Sequence, residues 1–527
     1  MQFFDLHCHP GLKTLFRPQD GTQFSAWETL GAARVFGDIL SSQCSLQQIT
    51  LRRQVPLICM TLHPPESGML DQFIIRAGAS VLFRQLMDVH RLQEMYSGAD
   101  GYQSVFAEEL ANLTALPRPA DNISAQVAVK FLKHWGDFRP QDTGTVHAVF
   151  NIEGGHALYS HADQPGTVKE ATDNLDAFLA LGYLILYLTP THLTPNQFIN
   201  HAYGNKILTK GPLLPRGMGI TPDGMALIRH VYARGLLIDV KHMSLLSRLQ
   251  FYRLHALHFP DRPIIASHAG LVGYYAFNEP GDAFLGWAVN EVVTADYVEL
   301  KGVNNRGLMV GTSFYPLSIN LFNEDIVAIL KSGGMIGISM DVRILGGKDN
   351  DQALQHDYLS PAEYAVLKLP DAEREKKIAE LADNLWAGAA PAAETVPADQ
   401  AVWQPVVETE SAELFTASVP TAVGPLLTEH ARLIANHLLQ IHFVADISGL
   451  PLPWQQVCIG SDFDGLIEAV DCCKNITALD RMATALVDAL KSGAAEREID
   501  LGMASADIVS AFCYGNAVTF LERHFTG

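Results

Sequence analysis

Residues 146–156 read VHAVFNIEGGH. The run is almost wholly apolar and lacks the alternation of a half-exposed strand, which is the pattern of a strand covered on both faces. It ends in a carboxylate, two glycines and a histidine. Seven other segments have the same build: QFFDL at 2–6, PLICMTL at 56–62, YLILYLT at 183–189, GLLIDVK at 235–241, PIIAS at 263–267, GMIGISM at 334–340 and VCIGS at 457–461. Segments with helical spacing separate them. Thr221-Pro222-Asp223 offers a cap, a first-turn proline and an acidic group for the helix dipole, and Gly235 follows. Asn323 is placed to cap 324–332 ahead of Gly333, and Ser505 opens a last helix with Ile508, Val509 and Phe512 inward. Eight buried parallel strands alternating with helices predict an α/β chain folded as a (β/α)8 TIM barrel with large insertions in the βα loops.

The strands are unevenly spaced. Extra helices are expected in 64–140 and in 269–333. The stretch 346–424 differs most: LSPAEYAVLKLPDAEREKKIAELADNLW reads as charged helix, and AGAAPAAETVPADQAVWQPVVETE is rich in Ala, Pro and Glu. The chain therefore divides into 1–345 with the first seven strands, the insertion 346–424, read as a lid over the barrel mouth, and 425–527 with the eighth strand and C-terminal helices.

The 527 residues are 48% hydrophobic and 18% charged, enough for a large core without disulfides or a structural metal. A formal net charge of −20 argues against nucleic acid or an anionic membrane surface as partner. AFLALGYLILYLTP at 177–190 falls short of the roughly eighteen apolar residues of a membrane span. The opening MQFFDLHCHP has neither the basic nor the apolar region of a signal peptide, and seven scattered cysteines without a CxxC pair read as reduced thiols. The expectation is a cytoplasmic protein of enzyme size.

In a barrel the C-terminal ends of the strands converge on one rim, where active sites form. Here those ends carry Asp5-Leu6-His7-Cys8-His9, Glu153-Gly154-Gly155-His156, Asp239-Val240-Lys241-His242, Ser267-His268 and Ser461-Asp462-Phe463-Asp464. Taken singly, each has an ordinary reading: buried hydrogen-bonded histidines, a turn carboxylate, an Asx-rich turn. Together, four imidazoles and two carboxylates aimed into one mouth are costly to desolvate unless something binds them, and zinc favours this ligand set. So many ligands suit two ions, with a carboxylate such as Glu153 bridging a pair ~3.5–4 Å apart and a shared hydroxide as nucleophile. Asp462 is placed to take and return the nucleophile's proton. Strand alternation sends Lys241 opposite to His242, out of the mouth, and turns Cys8 away from His7 and His9. Tyr274, Tyr275 and Trp287, in the insertion after the sixth strand, read as packing residues or pocket walls.

DLHCHP at the start, NIEGGHAL at 151–158, LLIDVKHMS at 236–244, PIIASH at 263–268 and IGSDFDG at 459–465 resemble the membrane (renal-type) dipeptidases, zinc peptidases of the amidohydrolase superfamily. Weaker echoes lie in SINLFNEDIVAILKSGGMIGISMD at 318–341 and in FCYGNAVTFLE near the C-terminus. The resemblance implies that His7 and His9 hold one zinc, Glu153 bridges, His242 and His268 hold the second, and Asp462 is the general base and acid. It implies hydrolysis of a dipeptide or related small amide without a covalent intermediate. Barrels of this kind often pair through their outer helices, so a homodimer is an open expectation.

Three positions depart from the family pattern. The first strand has HxH where the family has HxD, so His9 replaces a carboxylate. The substrate-orienting histidine matches His192 only if LTPTHLTPNQF is shifted by two residues. The arginine that would clamp the substrate carboxylate is Ile319; Arg216, Arg306 and Arg343 are candidates to replace it, and nothing in the sequence selects one. The competing readings are another superfamily hydrolase, acting on an N-acyl amino acid, a lactone or a phosphoester, and a non-catalytic metal-binding scaffold.

Overall fold

The eight apolar segments pair edge to edge, in parallel, and the last pairs with the first. Cys59 and Thr61 donate their N–H groups to Asp5 O (2.9 Å) and Cys8 O (2.7 Å). The second strand, Leu57–Leu62, runs in register with the third, Thr145–Glu153, from Leu57↔His147 to Leu62↔Ile152. The third pairs with the fourth, Ile185–Thr189, which pairs with Leu237–Ile238. Asp239 bridges to Ile265 in the sixth strand, Ile265–Ala269, and Met335–Ile338 joins that strand to Val457–Ile459. The ring closes where Leu6 N–H meets Ile459 O (2.9 Å) and His9 N–H meets Phe463 O (2.7 Å). Helices follow every strand, as expected of a (β/α)8 barrel. This computed structural model describes residues 1–15, 24–31, 41–51, 53–68, 101–115, 127–160, 166–204, 211–277, 288–347, 354–388 and 423–525.

The helix Pro222–Ala233 starts as expected, with Thr221 Oγ1 accepting from Gly224 N–H. The helix Asn323–Lys331 does not. Asn323 is its first helical residue, and the free Phe322 N–H is taken by Asp325 at 2.7 Å. The last helical run begins at Ser505, with Ile508, Val509 and Phe512 buried, and reaches Phe525 through a π turn at 511–515.

The insertions are not all helical. Residues 288–302 form a β-hairpin, Ala288–Val293 with Val298–Gly302, where extra helix was expected. The strand Gln355–Leu359, from the insertion after the seventh strand, pairs antiparallel with Val298–Gly302 and makes a three-stranded sheet. The charged helix Asp371–Ala387 then lies along the outer helix Leu245–His258. Arg253 pairs with Asp383 at 3.0 Å, and Trp386 stacks flat on His258 with centroids 3.5 Å apart. The start of the insertion read as a lid is thus docked on the barrel's flank, while its residues 389–422, which include nearly all of the Ala/Pro/Glu-rich stretch, lie outside the described residues, as does Trp287. No helix among the described residues is long and apolar enough to cross a membrane.

Inside the ring two aspartates lock neighbouring strand ends. Asp5 accepts from Ser461 N–H (2.9 Å) and Oγ–H (2.5 Å), and burial pushes its carboxyl up to about 6. Asp239 accepts from Ser267 N–H and Oγ–H, Thr189 Oγ1–H and Lys241 N–H. Gly460 lets the eighth strand approach the sixth: a Cβ there would stand 1.8 Å from Ser267 O. Gly460→Ala should therefore lower stability by about 1–3 kcal/mol in urea unfolding, since backbone must move to admit the methyl group. Gly515→Ala, where a Cβ meets nothing within 4 Å, should change it by less than about 0.5 kcal/mol.

Candidate metal centre

Glu153 leaves the third strand just before Gly154, whose φ of 90° is open to glycine and turns the chain off the barrel. Its carboxylate is 2% exposed and meets the imidazoles of the other strand ends. His7 and His9 share a face, as period two requires, with their Nε2 atoms 3.1 Å apart. His242 Nε2 and His268 Nε2 are also 3.1 Å apart. Glu153 Oε2 lies 3.4 Å from His9 Nε2; Oε1 lies 3.2 Å from His242 Nε2, 3.5 Å from His268 Nε2 and 3.4 Å from His7 Nε2. Asp462, 18% exposed at its side chain, places Oδ1 3.1 Å from His9 Nε2.

Second contacts fix which nitrogen faces the centre. Tyr187 donates its hydroxyl proton to Leu6 O, so at 2.9 Å it accepts from His7 Nδ1–H and leaves the Nε2 lone pair inward. Ser267 donates to Asp239 and so accepts from His268 Nδ1–H at 2.8 Å, with the same result. Burial, with neighbouring positive charge, holds His242 and His268 well below the ordinary histidine range, the neutral form a metal needs. Burial alone would push Glu153 up; His192 and His7 beside it hold it well below the usual carboxylate range.

These residues fit divalent cations. Two ligands of one tetrahedral zinc at ~2.0–2.1 Å lie about 3.3 Å apart, close to both histidine pairs. Glu153 Oε1 is fully buried without a hydrogen-bond partner. His7, Glu153 and His268 form one group with metal-ligand spacing, and His7, His9 and Asp462 form another.

The structure brings all seven residues singled out in the sequence to this mouth. His192 comes in from the loop after the fourth strand, its Nε2 3.8 Å from Glu153 Oε1. Two further residues had gone unread. His63, one residue past the second strand, donates from Nδ1 to Glu153 O at 3.1 Å, and burial pushes it down to about 3. Glu66 accepts from His192 Nδ1–H at 2.7 Å; against its burial, Glu66 and Glu153 raise His192 to about 9. The signal was present in PLICMTLHPPE, whose strand also ends in a histidine and a carboxylate. His156 turns away to Pro64 O at 2.7 Å.

Lys241 corrects the alternation argument. His242 has φ 67°, so the strand's alternation breaks there and its neighbour also faces inward. Lys241 is 1% exposed, its Nζ lacks a hydrogen-bond partner, and burial pushes it down to about 8 despite Asp462, Asp239 and Glu153. Asp462 and Asp464 share the left-handed conformation, with φ 63° and 65°. Cys8 is buried with Sγ toward Cys59 O, and all seven cysteines are buried and unbridged. Ile319 is 2% exposed among Ala202 and Leu317. Of the candidate arginines, Arg343 spends its guanidinium on Asp341 (2.6–3.0 Å) and Leu466 O. Arg216 and Arg306 are exposed.

No family model and no curated relative matches this sequence. Solved structures do. A crystal structure of dipeptidase AC, a metallopeptidase of family M19, superposes with a TM-score of 0.50 at 15% identity, covering 100% of this chain and 99% of that one. A metallopeptidase from Rhodobacter sphaeroides, liganded with a phosphinate mimic of the dipeptide L-Ala-D-Ala, covers 99% of both chains at 15% identity with a TM-score of 0.48. The first likeness shows a shared fold along the whole chain.

Tyr187→Phe removes the acceptor that sets the His7 tautomer. Metal affinity, measured by competition with a chromogenic chelator, should fall about 10- to 100-fold while the fold is kept; an unchanged affinity would separate Tyr187 from the centre.

Proposed function

We propose that the protein is a binuclear zinc-dependent hydrolase that cleaves the amide bond of dipeptides or related small amides. One observation carries the reading: a single buried carboxylate stands among two histidine pairs, each with its Nε2 atoms 3.1 Å apart, with Oε2 facing His9 and Oε1 facing His242, His268 and His7. The motif resemblance and the fold shared with a metallopeptidase described as a dipeptidase support it.

In this reading His7 and His9 would hold one zinc and His242 and His268 the other, with the Glu153 carboxylate shared as a ligand. When bound, the ions polarise the scissile carbonyl and make water acidic enough to attack at neutral pH. Asp462 is the most exposed of the set and stands beside His9, where it takes the attacking water's proton on its carboxylate and returns it to the amine nitrogen as the C–N bond breaks. His192 reaches the same centre from the loop after the fourth strand, where it would orient the substrate carbonyl. Tyr187, Ser267 and Asp239 keep the imidazoles in place through the cycle. Ile319 favours a second reading for substrate range: an apolar residue where the family binds a carboxylate suits small amides or esters that lack one.

Protein purified without chelator should carry two zinc ions per chain by plasma mass spectrometry and turn over members of an L-X–D-Ala and L-X–L-X panel. Asp462→Asn should cut kcat by about 10²–10⁴ with metal retained, and Glu153→Gln should lose metal. Two ions without turnover moves the search to other amides and esters. Folded protein without stoichiometric metal refutes the reading.

A further inference from the structure

Glu66 lies outside the ligand set, in the loop after the second strand, yet it is 1% exposed at the edge of the mouth. Its two oxygens have separate partners. Oε1 accepts from Leu193 N–H (2.9 Å), Thr194 N–H (2.9 Å) and Thr194 Oγ1–H (3.1 Å), which ties down the loop after the fourth strand. Oε2 accepts from His192 Nδ1–H at 2.7 Å, its one hydrogen bond among the described residues. The His192 ring is held between His63 and His242, each 4.4 Å away centroid to centroid and steeply inclined. A carboxylate oxygen can only accept, so the proton of this bond sits on Nδ1 and Nε2 is left to the site. The loop anchor alone needs one oxygen; the second is committed to the ring.

The geometry points to Glu66 as a positioning residue for the proposed hydrolysis, fixing which nitrogen His192 turns toward the substrate over Glu153. This rests on the dipeptidase reading only for its kinetic arm. In that reading His192 acts on substrate and is not one of the four histidines assigned to metal.

Glu66→Gln separates the two tasks of the side chain. The amide oxygen keeps the three loop donors, and the NH₂ group is left against His192 Nδ1, replacing an acceptor by a donor. Metal content and melting temperature should match the parent. kcat should fall about 10- to 100-fold, with KM changed by less than about threefold. Binding of a phosphinate dipeptide isostere, a tetrahedral mimic, should weaken in step with kcat/KM. In a His192→Ala background the same substitution should have no further effect. Thr194→Val, which removes only a loop contact, should leave kcat within twofold. A kcat for Glu66→Gln within twofold of the parent, a multiplied loss in the double variant, or loss of metal would each overturn the assignment. Should Glu66→Gln not fold, ¹⁵N-histidine spectra of the parent decide, with His192 identified by its absence in His192→Ala. A protonated Nδ1 is expected and an unprotonated one refutes the link. If the parent cleaves no dipeptide, the dipeptidase reading fails, and the same spectrum still tests the Glu66–His192 bond.

Discussion

A buried carboxylate stands where six imidazoles meet: His7, His9, His63, His192, His242 and His268 all approach Glu153 within 4 Å. Taking that charge out of water is unfavourable unless positive charge lies beside it. His192 and His7 supply part of it. His242 and His268 are held neutral by burial, and the charge of His192 is shared with Glu66. The arrangement has inward lone pairs and one anion, which is a demand for cations. Tyr187, Ser267, Asp239 and the broken alternation at residue 242 all serve to keep those lone pairs inward.

The barrel earns its rigidity just beneath the centre. Asp5 joins the ends of the first and eighth strands, and Asp239 joins the fourth, fifth and sixth, through serine and threonine hydroxyls and backbone N–H groups. Each lock sits two or three residues before a candidate ligand. The site is therefore held by the same hydrogen bonds that hold the ring, and shifts in ligand position have to be shared with the strands.

All eight strands were legible because parallel strands buried on both faces leave unbroken apolar runs, which helices and surface strands do not. The ligand positions were legible because barrel strands end on one rim. What escaped had particular causes. AVNEVVTADYVELKG at 288–302 is a hairpin whose alternation lies far from the ring and was absorbed into an insertion read as helix. Lys241 was misdirected because a left-handed φ at the following histidine cannot be read from composition. His63 and Glu66 were passed over because they flank Pro64-Pro65 just past the strand, where strand periodicity ends, and only the fold shows that this loop meets the one carrying His192. The cap at 323 moved because Asp325, drawn in by the buried Arg248 at 3.0 Å, also reaches back to Phe322 N–H.

The seam of the ring has a consequence for the growing chain. The first strand's inner neighbour appears early, but its outer one, Val457–Ile459, is among the last elements made. Until the ribosome has passed that point, the nascent sheet is an open crescent with an unpaired edge on either side, and its apolar strands lack their full covering. The same holds for Gln355–Leu359, whose partner hairpin waits for it at the flank. Safe synthesis of this protein thus depends on how long those edges stay open, a hazard measured in translation time and chaperone contact.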